Sequence, residues 1–429
     1  MGVFIILFTY IHFDYYYLNF ILILSLLIFI LGSTLSEIIM LYRFKQPIVA
    51  KRLTGEKLSN GDFNDITIQI TNKYPFSVLI RLIDEAPIQF QLRKLSYSIL
   101  MNPGETKNIT YTLRPTRRGE YMFGNINVFA KTIMPLVQRK IIIPAETTLP
   151  VYPSFIQMRK YEIMAISNRL TMIGVKKMRR IGHNLEFDQI REYVIGDDYR
   201  TVNWKATARR SKLMANQYMD ERAQPVYCMI DMGRVMKMPF NELTLLDYSI
   251  NASLVISNVA LIKHDKAGII TFSHKTDSFL QAERKASQMQ KIMELLYRQK
   301  TGFLETSYEL LFSTVIRRIN QRSLLLLFTN FETVASMHRQ LPYLRQLAKR
   351  HLLVVIFFRN TELVSFIQKP ATHTEQVYLK TIAEKFDFEK RLIVKELEKH
   401  GIASILTAPE NLTVNTLNKY LELKARGLI

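Results

Sequence analysis

The run Leu324-Leu325-Leu326-Leu327-Phe328 is apolar throughout and has the length of a β-strand, and Leu352 to Phe358 repeats the pattern. Apolar runs without polar alternation are typical of strands covered on both faces, as in a parallel sheet between two layers of helices. A stretch of helical periodicity, residues 338–350, separates the two runs. The sequence therefore predicts an α/β domain with a mainly parallel, Rossmann-like sheet over residues 223–429.

Strands and amphipathic helices alternate along the whole of this C-terminal part. We predict strands at 226–231, 268–273, 324–329, 352–358 and 402–406, and helices at 243–263, 284–299, 308–320, 338–350, 374–400 and 411–426. In an open parallel sheet, ligands bind outside the carboxyl ends of the strands. The loops in which we expect a site are therefore those after Asp231, Ser273, Thr329 and Phe358.

Residues 46–152 show short alternating apolar runs separated by turn residues. Ile66-Thr67-Ile68-Gln69-Ile70 is one such run, and Asn102-Pro103-Gly104 is a turn that precedes another. Roughly seven strands in about 100 residues are typical of a β-sandwich. Residues 153–222 follow and are predicted to hold a helix, a basic linker and a segment rich in charge.

Residues 1–45 predict a membrane anchor. The stretch from Tyr15 to Leu35 has no charged residue and is long enough to cross the hydrocarbon core as a helix, which we place at about 15–40. Arg43 and Lys45 follow it, and positive residues mark the cytosolic end of a membrane helix. We therefore expect a cell-membrane protein whose soluble domains face the cytoplasm.

A shorter apolar piece, Val3 to Phe13, precedes the anchor and is separated from it by Asp14. About eleven residues are too few to cross a membrane alone. The piece is compatible with half of a hairpin, whose first helix would be completed if the true start lay further upstream. The sequence leaves open whether there are one or two membrane helices.

The net charge of +21, from 58 Lys and Arg against 37 Asp and Glu, indicates an anionic partner or surface. The basic residues are scattered in short groups such as Arg209-Arg210, and no nucleic-acid-binding motif accompanies them. We therefore expect no nucleic-acid partner. A domain tethered beside the anionic inner leaflet gains from a positive surface, so membrane lipid accounts for the charge.

The predicted site loops carry no catalytic pattern. Asp231-Met232-Gly233-Arg234-Val235 lacks the glycine spacing of a phosphate loop, and no serine lies in a glycine elbow. The eight histidines are dispersed, and Cys228 is the only cysteine, so the spacing of a His/Cys metal site is absent. We expect neither enzymatic activity nor a cofactor.

The densest group of charged and aromatic residues lies between Glu186 and Arg209, here called the signature segment. It contains the turn Gly196-Asp197-Asp198, of the kind that opens helices, and the only tryptophan, Trp204.

Two interpretations of this segment remain open. In one, a salt-bridge and capping network docks it on the sheet domain, with Trp204 as hydrophobic anchor. In the other, it is a surface that binds a partner. The residues assigned to these roles are Asp188, Arg191, Tyr193, Gly196, Asp197, Arg200, Asn203, Trp204, Lys205 and Arg209.

Three pieces of sequence carry a resemblance to a known family. They are Arg191-Glu192-Tyr193-Val194-Ile195-Gly196-Asp197-Asp198-Tyr199-Arg200, Val202-Asn203-Trp204-Lys205-Ala206-Thr207-Ala208-Arg209 and Arg114-Pro115-Thr116-Arg117-Arg118-Gly119. With them the chain resembles, over essentially its whole length, the bacterial membrane-anchored family catalogued as domain of unknown function number fifty-eight. The resemblance implies a β-rich domain and a C-terminal von Willebrand factor A-like domain. It also implies a MoxR-type AAA+ ATPase as partner, because such ATPases are often encoded beside family members.

The same resemblance bears on metal binding. Von Willebrand A domains commonly hold a divalent ion through Asp-x-Ser-x-Ser, a threonine and a second aspartate. Here Asp231 and Thr329 are kept, but the serines are replaced by Gly233 and Val235, and Asn330 stands where the second aspartate is expected. A hard divalent cation requires several oxygen ligands. We therefore expect metal binding to be weak or lost.

These observations lead us to expect a non-enzymatic, membrane-anchored adaptor or scaffold that binds a protein partner, with a MoxR-type ATPase as the expected partner. The alternative is a divalent-metal-dependent binding protein or enzyme that uses Asp231 and Thr329. The sequence leaves the cellular process and the oligomeric state open.

Overall fold

The computed structural model describes residues 2–92, 95–166, 186–194, 199–219, 223–302, 304–371 and 373–428. The chain forms two compact units. The first comprises Met1–Leu58, Phe63–Pro115 and Glu120–Val151, and the second comprises Ser59–Asp62, Thr116–Gly119 and Tyr152–Ile429.

The N-terminal helix α1 runs without interruption over Gly2–Tyr42. The short piece before Asp14 and the predicted span thus belong to one helix, because a single aspartate without glycine or proline beside it does not break a helix. Asn19–Tyr42 is apolar and long enough to cross a membrane, and its side chains are largely exposed. This helix is consistent with a membrane anchor.

The last turns of α1 are fixed to the first unit. The Glu37 carboxylate accepts hydrogen bonds from Val137 N (2.8 Å) and from the Thr132 hydroxyl. Leu41 is fully buried, and its carbonyl oxygen accepts a hydrogen bond of 2.8 Å from the Tyr74 hydroxyl. Glu37 therefore serves as an attachment point inside the predicted span.

The first unit is a β domain, as predicted. Its strands are β1 Ile48–Leu53, β2 Leu58–Ser59, β3 Asn64–Asn72, β4 Val78–Asp84, β5 Ser96–Met101, β6 Thr106–Leu113, β7 Gly119–Phe123, β8 Ile126–Lys131, β9 Gln138–Ile143 and β10 Thr147–Tyr152. They form sheets of order β1-β3-β6, β2-β10-β7 and β5-β4-β8-β9. In β3 and β4, buried positions alternate with more exposed ones, which places one face of each sheet on the core.

A buried ion pair lies inside the first unit. Arg52 pairs with Asp84, and both side chains are almost fully buried. The Tyr111 hydroxyl donates to the same carboxylate. Arg52 follows α1 closely in sequence, but its side chain is buried in the core of this unit.

The second unit contains helices and strands in alternation. They are α2 Phe155–Ile166, β11 Glu186–Glu192, α3 Trp204–Arg210, β12 Met214–Met219, β13 Pro225–Asp231, β14 Pro239–Phe240, β15 Leu243–Thr244, α4 Leu245–Ile262, β16 Lys266–Phe272, β17 Thr276–Glu283, α5 Gln288–Tyr297, α6 Tyr308–Arg318, β18 Leu324–Phe328, α7 Val334–Arg350, β19 Leu352–Phe358, α8 Thr361–Gln368, α9 Thr374–Lys399, β20 Ala403–Thr407 and α10 Leu412–Ala425.

The main sheet has the order β17-β16-β13-β18-β19-β20. All neighbouring strands are parallel except β16 and β17. Strands β13 and β18 are buried at every position, so the predicted mainly parallel sheet with covered faces is confirmed.

Several elements of this unit were not predicted, among them the short strands β11, β12, β14 and β15, the edge strand β17 and helix α8. Strand β17 lies at the sheet edge and is mostly half-buried, so its sequence lacks an apolar run. Helix α8 has eight residues, too few for a clear periodicity. Helix α4, which is as apolar as a membrane helix, is 78% buried and forms part of the core.

Candidate functional site

The carboxyl ends of β13 and β18 lie side by side at the centre of the main sheet. From β13 the chain proceeds to β16 on one side, whereas β18 lies on the other. This is the switch point at which open α/β sheets form a ligand crevice. A cavity of about 190 Å³ lies there and is lined by residues that include Asp231, Thr306, Tyr308 and Asn330.

Asp231 is buried in this crevice and is surrounded by donors of the protein itself. Its Oδ1 accepts hydrogen bonds from the Thr306 hydroxyl (2.5 Å) and Gly233 N (2.8 Å). Its Oδ2 accepts one from the Thr329 hydroxyl, at 2.7 Å. Burial raises the pKa of Asp231, while the hydroxyl and amide donors act in the opposite direction. The carboxylate thus connects the loops that follow three different elements.

Gly233 has no room for a side chain. An ideal Cβ on Gly233 would lie 2.1 Å from the Thr306 Oγ1 and 3.1 Å from the Asp231 Oδ1. The hydroxyl that donates to Asp231 is therefore not that of a serine at residue 233. It is the hydroxyl of Thr306, which lies 75 residues after Asp231. Val235, the other position where the resemblance implies serine, packs against the hydrophobic core.

Thr329 and Asn330 belong to two different hydrogen-bond networks. The Thr329 hydroxyl lies 2.6 Å from the Tyr308 hydroxyl, and burial together with the Asp231 charge raises the pKa of Tyr308. Asn330 Oδ1 accepts a hydrogen bond of 2.6 Å from Lys390 Nζ. The amide oxygen at residue 330 is thus occupied by an ammonium group.

Thr306, Tyr308 and Lys390 were missed by sequence reasoning. Thr306 lies 75 residues after Asp231, and Lys390 lies 60 residues after Asn330. Neither lies in a motif, so no local pattern pointed to them. Among the described residues, no group of three or more His, Cys, Asp or Glu side chains is placed to hold a metal ion.

Strand β11 of the signature segment pairs in antiparallel fashion with β12, which follows the segment, and α3 lies between the two strands in sequence. Helix α3 begins at Trp204, and the Asn203 side chain caps it by accepting a hydrogen bond of 3.0 Å from Ala206 N. Gly196 and Asp197 lie outside the described residues, as does the side chain of Asp188. The roles predicted for these three residues therefore stay predictions.

Trp204 is 72% exposed, so its interpretation as a buried hydrophobic anchor is wrong. Burial of an aromatic ring requires a facing surface, which the sequence of the segment does not specify. Tyr199 is also exposed (73%), and the Arg200 guanidinium lies 5.7 Å from its ring centroid.

The other signature residues lie close by. Tyr193 N donates a hydrogen bond of 2.9 Å to the Leu213 carbonyl oxygen, and Arg191 donates one to the Glu192 carbonyl oxygen. Lys205 and Arg209 are exposed on α3. The described part of the segment therefore combines an exposed aromatic ring with basic side chains.

Comparison with known proteins finds a family similarity in this region. Residues 189–370 match the family described as "Protein of unknown function DUF58". The match contains most of the signature segment and the whole Asp231 crevice, whereas Lys390 lies beyond it.

A curated relative is also similar to part of the chain. "Uncharacterized protein YeaD" of Bacillus subtilis (strain 168) is 24% identical over 202 residues, which are 46% of this chain and 50% of the relative. The chain thus spans about half the length of the curated relative it matches.

Solved structures are similar to a smaller part. The ASH/PapD-like domain of human CEP192 is 13% identical with a TM-score of 0.20, and covers 24% of this chain and 84% of that domain. The CARDB domain of PF1109 from Pyrococcus furiosus is 14% identical with a TM-score of 0.18, and covers 24% of this chain and 94% of that domain.

Proposed function

We propose that this protein is a non-enzymatic, membrane-anchored adaptor whose second unit, a degenerate von Willebrand A-like domain, binds a protein partner through the signature segment. The exposure of Trp204 carries the proposal. Exposed tryptophan and arginine are the residue types that contribute most to binding at protein interfaces. Lys205 and Arg209 on the same helix fit an acidic partner surface.

The expected partner is a MoxR-type AAA+ ATPase, as the family resemblance implies. In this proposal helix α1 is the anchor, and the positive residues Arg43 and Lys45 behind it support a cytosolic location of both units. Protease treatment of sealed cells and of inverted membrane vesicles tests this orientation. Digestion of the soluble units only in the inverted vesicles is expected, and digestion in intact cells would contradict it.

The donors around Asp231 favour this adaptor over the metal-dependent alternative. Both oxygens of its carboxylate already accept hydrogen bonds from protein groups, and Thr306 occupies the space beside Gly233. A divalent cation would have to displace these donors and would find an amide at Asn330. Calorimetry of the full chain with Mg²⁺ and Mn²⁺ tests the alternative. Site-specific heat that is lost in Asp231→Asn would favour it.

A pull-down tests the adaptor itself. The full chain, solubilised from membranes in detergent with nucleotide present, should capture an AAA+ ATPase. Trp204→Ala should reduce capture about 30-fold, as expected for a residue that contributes about 2 kcal/mol or more.

Phe388→Ala is the matched control for this experiment, because Phe388 is also an exposed aromatic residue (62%) but lies on α9. It should leave capture unchanged. Recovery of no ATPase with the unsubstituted chain, or equal losses in both variants, would contradict the proposal.

A further inference from the structure

A second cavity lies at the carboxyl edge of the main sheet, beside the ends of β18 and β19. Its volume is about 300 Å³, which is within the range of small-molecule sites. Its apolar lining residues include Met238, Phe240, Leu245, Phe358, Leu363 and Phe386. All of them belong to the second unit, so the cavity is formed within one compact body.

Lys390 brings a positive charge to this apolar cavity. Its ammonium group donates hydrogen bonds to Asn330 Oδ1 and to the backbone carbonyl oxygen of Phe331. Both acceptors are uncharged, and among the described residues no carboxylate lies within ion-pair distance of the ammonium. Burial lowers the pKa of Lys390 to about 8, an effect that the exposed Glu332 partly opposes. The ammonium is therefore solvated by neutral oxygens and lacks a direct counter-ion.

The other charged side chains at the cavity do not supply a counter-ion to Lys390. Asp387 forms a fork with Arg359, with distances of 2.8 Å and 3.1 Å, and also pairs with Arg391 at 2.5 Å. Two guanidinium groups thus share a single carboxylate. Arg391 does not line the cavity, whose charged lining residues are the cations Arg359 and Lys390 and the anions Glu332 and Asp387. Asp387 is engaged by guanidinium groups and Glu332 is exposed, so among the described residues Lys390 keeps no direct counter-ion.

We propose that this cavity binds a monocarboxylate carried on an apolar body, with the carboxylate accepting a hydrogen bond from Lys390 Nζ and the body lying against Phe240, Leu363 and Phe386. The single ammonium group of Lys390, which has no direct counter-ion in the described part of the chain, matches one negative charge. A phosphate dianion would lose more hydration free energy than this one ammonium group returns. The carboxylate comes either from a free amphipathic acid or from the C-terminal residue of a peptide. The inference does not depend on the adaptor role.

Protection of Lys390 from chemical modification tests the proposal. The full chain in proteoliposomes is reductively methylated at pH 8, and the rate at each lysine is read by peptide mass spectrometry. The probes are 4-phenylbutyrate, the uncharged 4-phenylbutyramide, and N-acetyl-glycyl-phenylalanine with a free carboxylate. Lys395, exposed on the same helix, is the internal control.

Methylation of Lys390 should slow about tenfold with a carboxylate probe at roughly ten times its Kd, because occupancy follows mass action. The amide and the Lys395 rate should show little change. Protection by the peptide acid alone assigns the site to a chain terminus, and protection by phenylbutyrate alone assigns it to a free acid. Equal protection by the amide, or protection by no probe, would overturn the proposal.

Two variants give an independent check by calorimetry with 4-phenylbutyrate. Lys390→Gln should weaken binding at least about tenfold, since a charge-assisted hydrogen bond is lost. Glu332→Gln should strengthen binding a few-fold, because it removes a neighbouring negative charge from an exposed position. The second variant remains informative even if the first does not fold. Unchanged affinity in a folded Lys390→Gln protein, or weaker binding in Glu332→Gln, would count against the site.

Discussion

The Thr306 side chain fills the space that a side chain on Gly233 would need, because an ideal Cβ on Gly233 would lie 2.1 Å from the Thr306 Oγ1. The backbone of Gly233 has φ −69° and ψ 175°, which any residue adopts, so the restriction is steric. The Thr306 hydroxyl is held there because it donates a hydrogen bond to Asp231.

This relationship predicts strong coupling between the two positions. Gly233→Ala should destabilise the second unit by about 1–3 kcal/mol through overpacking. In a Thr306→Ala background the same change should cost about 0.5 kcal/mol or less, since the clashing hydroxyl is gone. The four proteins of this double-mutant cycle are the unsubstituted chain, the two single variants and the double variant. Hydrogen–deuterium exchange of β13 and β18 in each of them measures the stability of the second unit. Additive effects of the two substitutions on stability would show that a Cβ at residue 233 and the Thr306 hydroxyl do not share this space.

Asp231 should make stability depend on pH. Its folded pKa is raised by burial, so the folded state binds more protons than the unfolded state above the unfolded pKa of about 3.9. The stability of the unsubstituted protein relative to Asp231→Asn should therefore fall as pH rises from about 4, and level off above the raised folded pKa. Measuring the free energy of unfolding of the unsubstituted protein and of Asp231→Asn as a function of pH tests this prediction.

Asp387 is a control for which stability should change with pH in the opposite direction. Hydrogen bonds from Arg359 lower the pKa of Asp387, so its stabilising contribution is present above the unfolded pKa. It is lost as pH falls through the folded value. The stability relative to Asp387→Asn should accordingly rise with pH below about 4 and then stay level. The same slope for both aspartates would contradict the assigned directions.

Arg118 should be a strong determinant of stability. Its guanidinium lies within the second unit, where it pairs with Asp247 (3.0 Å) and donates to the Leu296 carbonyl oxygen (2.5 Å). Arg118→Ala should cost about 3–5 kcal/mol, because it leaves the buried Asp247 charge without this partner. The adjacent, exposed Arg117 serves as the comparison. Thermal unfolding should show a much smaller loss for Arg117→Ala, and similar losses would refute this role for Arg118.

Trp204 should be readily quenched by acrylamide in the free protein. It is the only tryptophan, so the fluorescence of the full chain excited in the indole band reports on this position alone. Addition of the partner ATPase should reduce quenching, because an interface excludes the quencher. Protection already present in the isolated protein would mean that the ring is covered, contrary to its exposure here.

Local pattern was sufficient for much of this fold. The apolar runs 324–328 and 352–358 gave buried parallel strands, and the alternation in 66–70 gave a half-buried one. Helix α1 followed from its uncharged length, although its continuity through residue 14 did not. Edge strand β17 and helix α8 were missed because a half-buried edge or a two-turn helix imposes little periodicity on its residues.

The sequence by itself determined that Asp231 ends a buried strand and that Trp204 lies in a charged segment. The departure of Gly233 and Asn330 from a metal-binding pattern is what the family resemblance implies. Only the tertiary structure decided that Thr306 fills the space beside Gly233, that Lys390 reaches Asn330, and that Trp204 is exposed. Periodicity reports which face of an element is buried. The packing of distant loops and helices decides which side chains share a site.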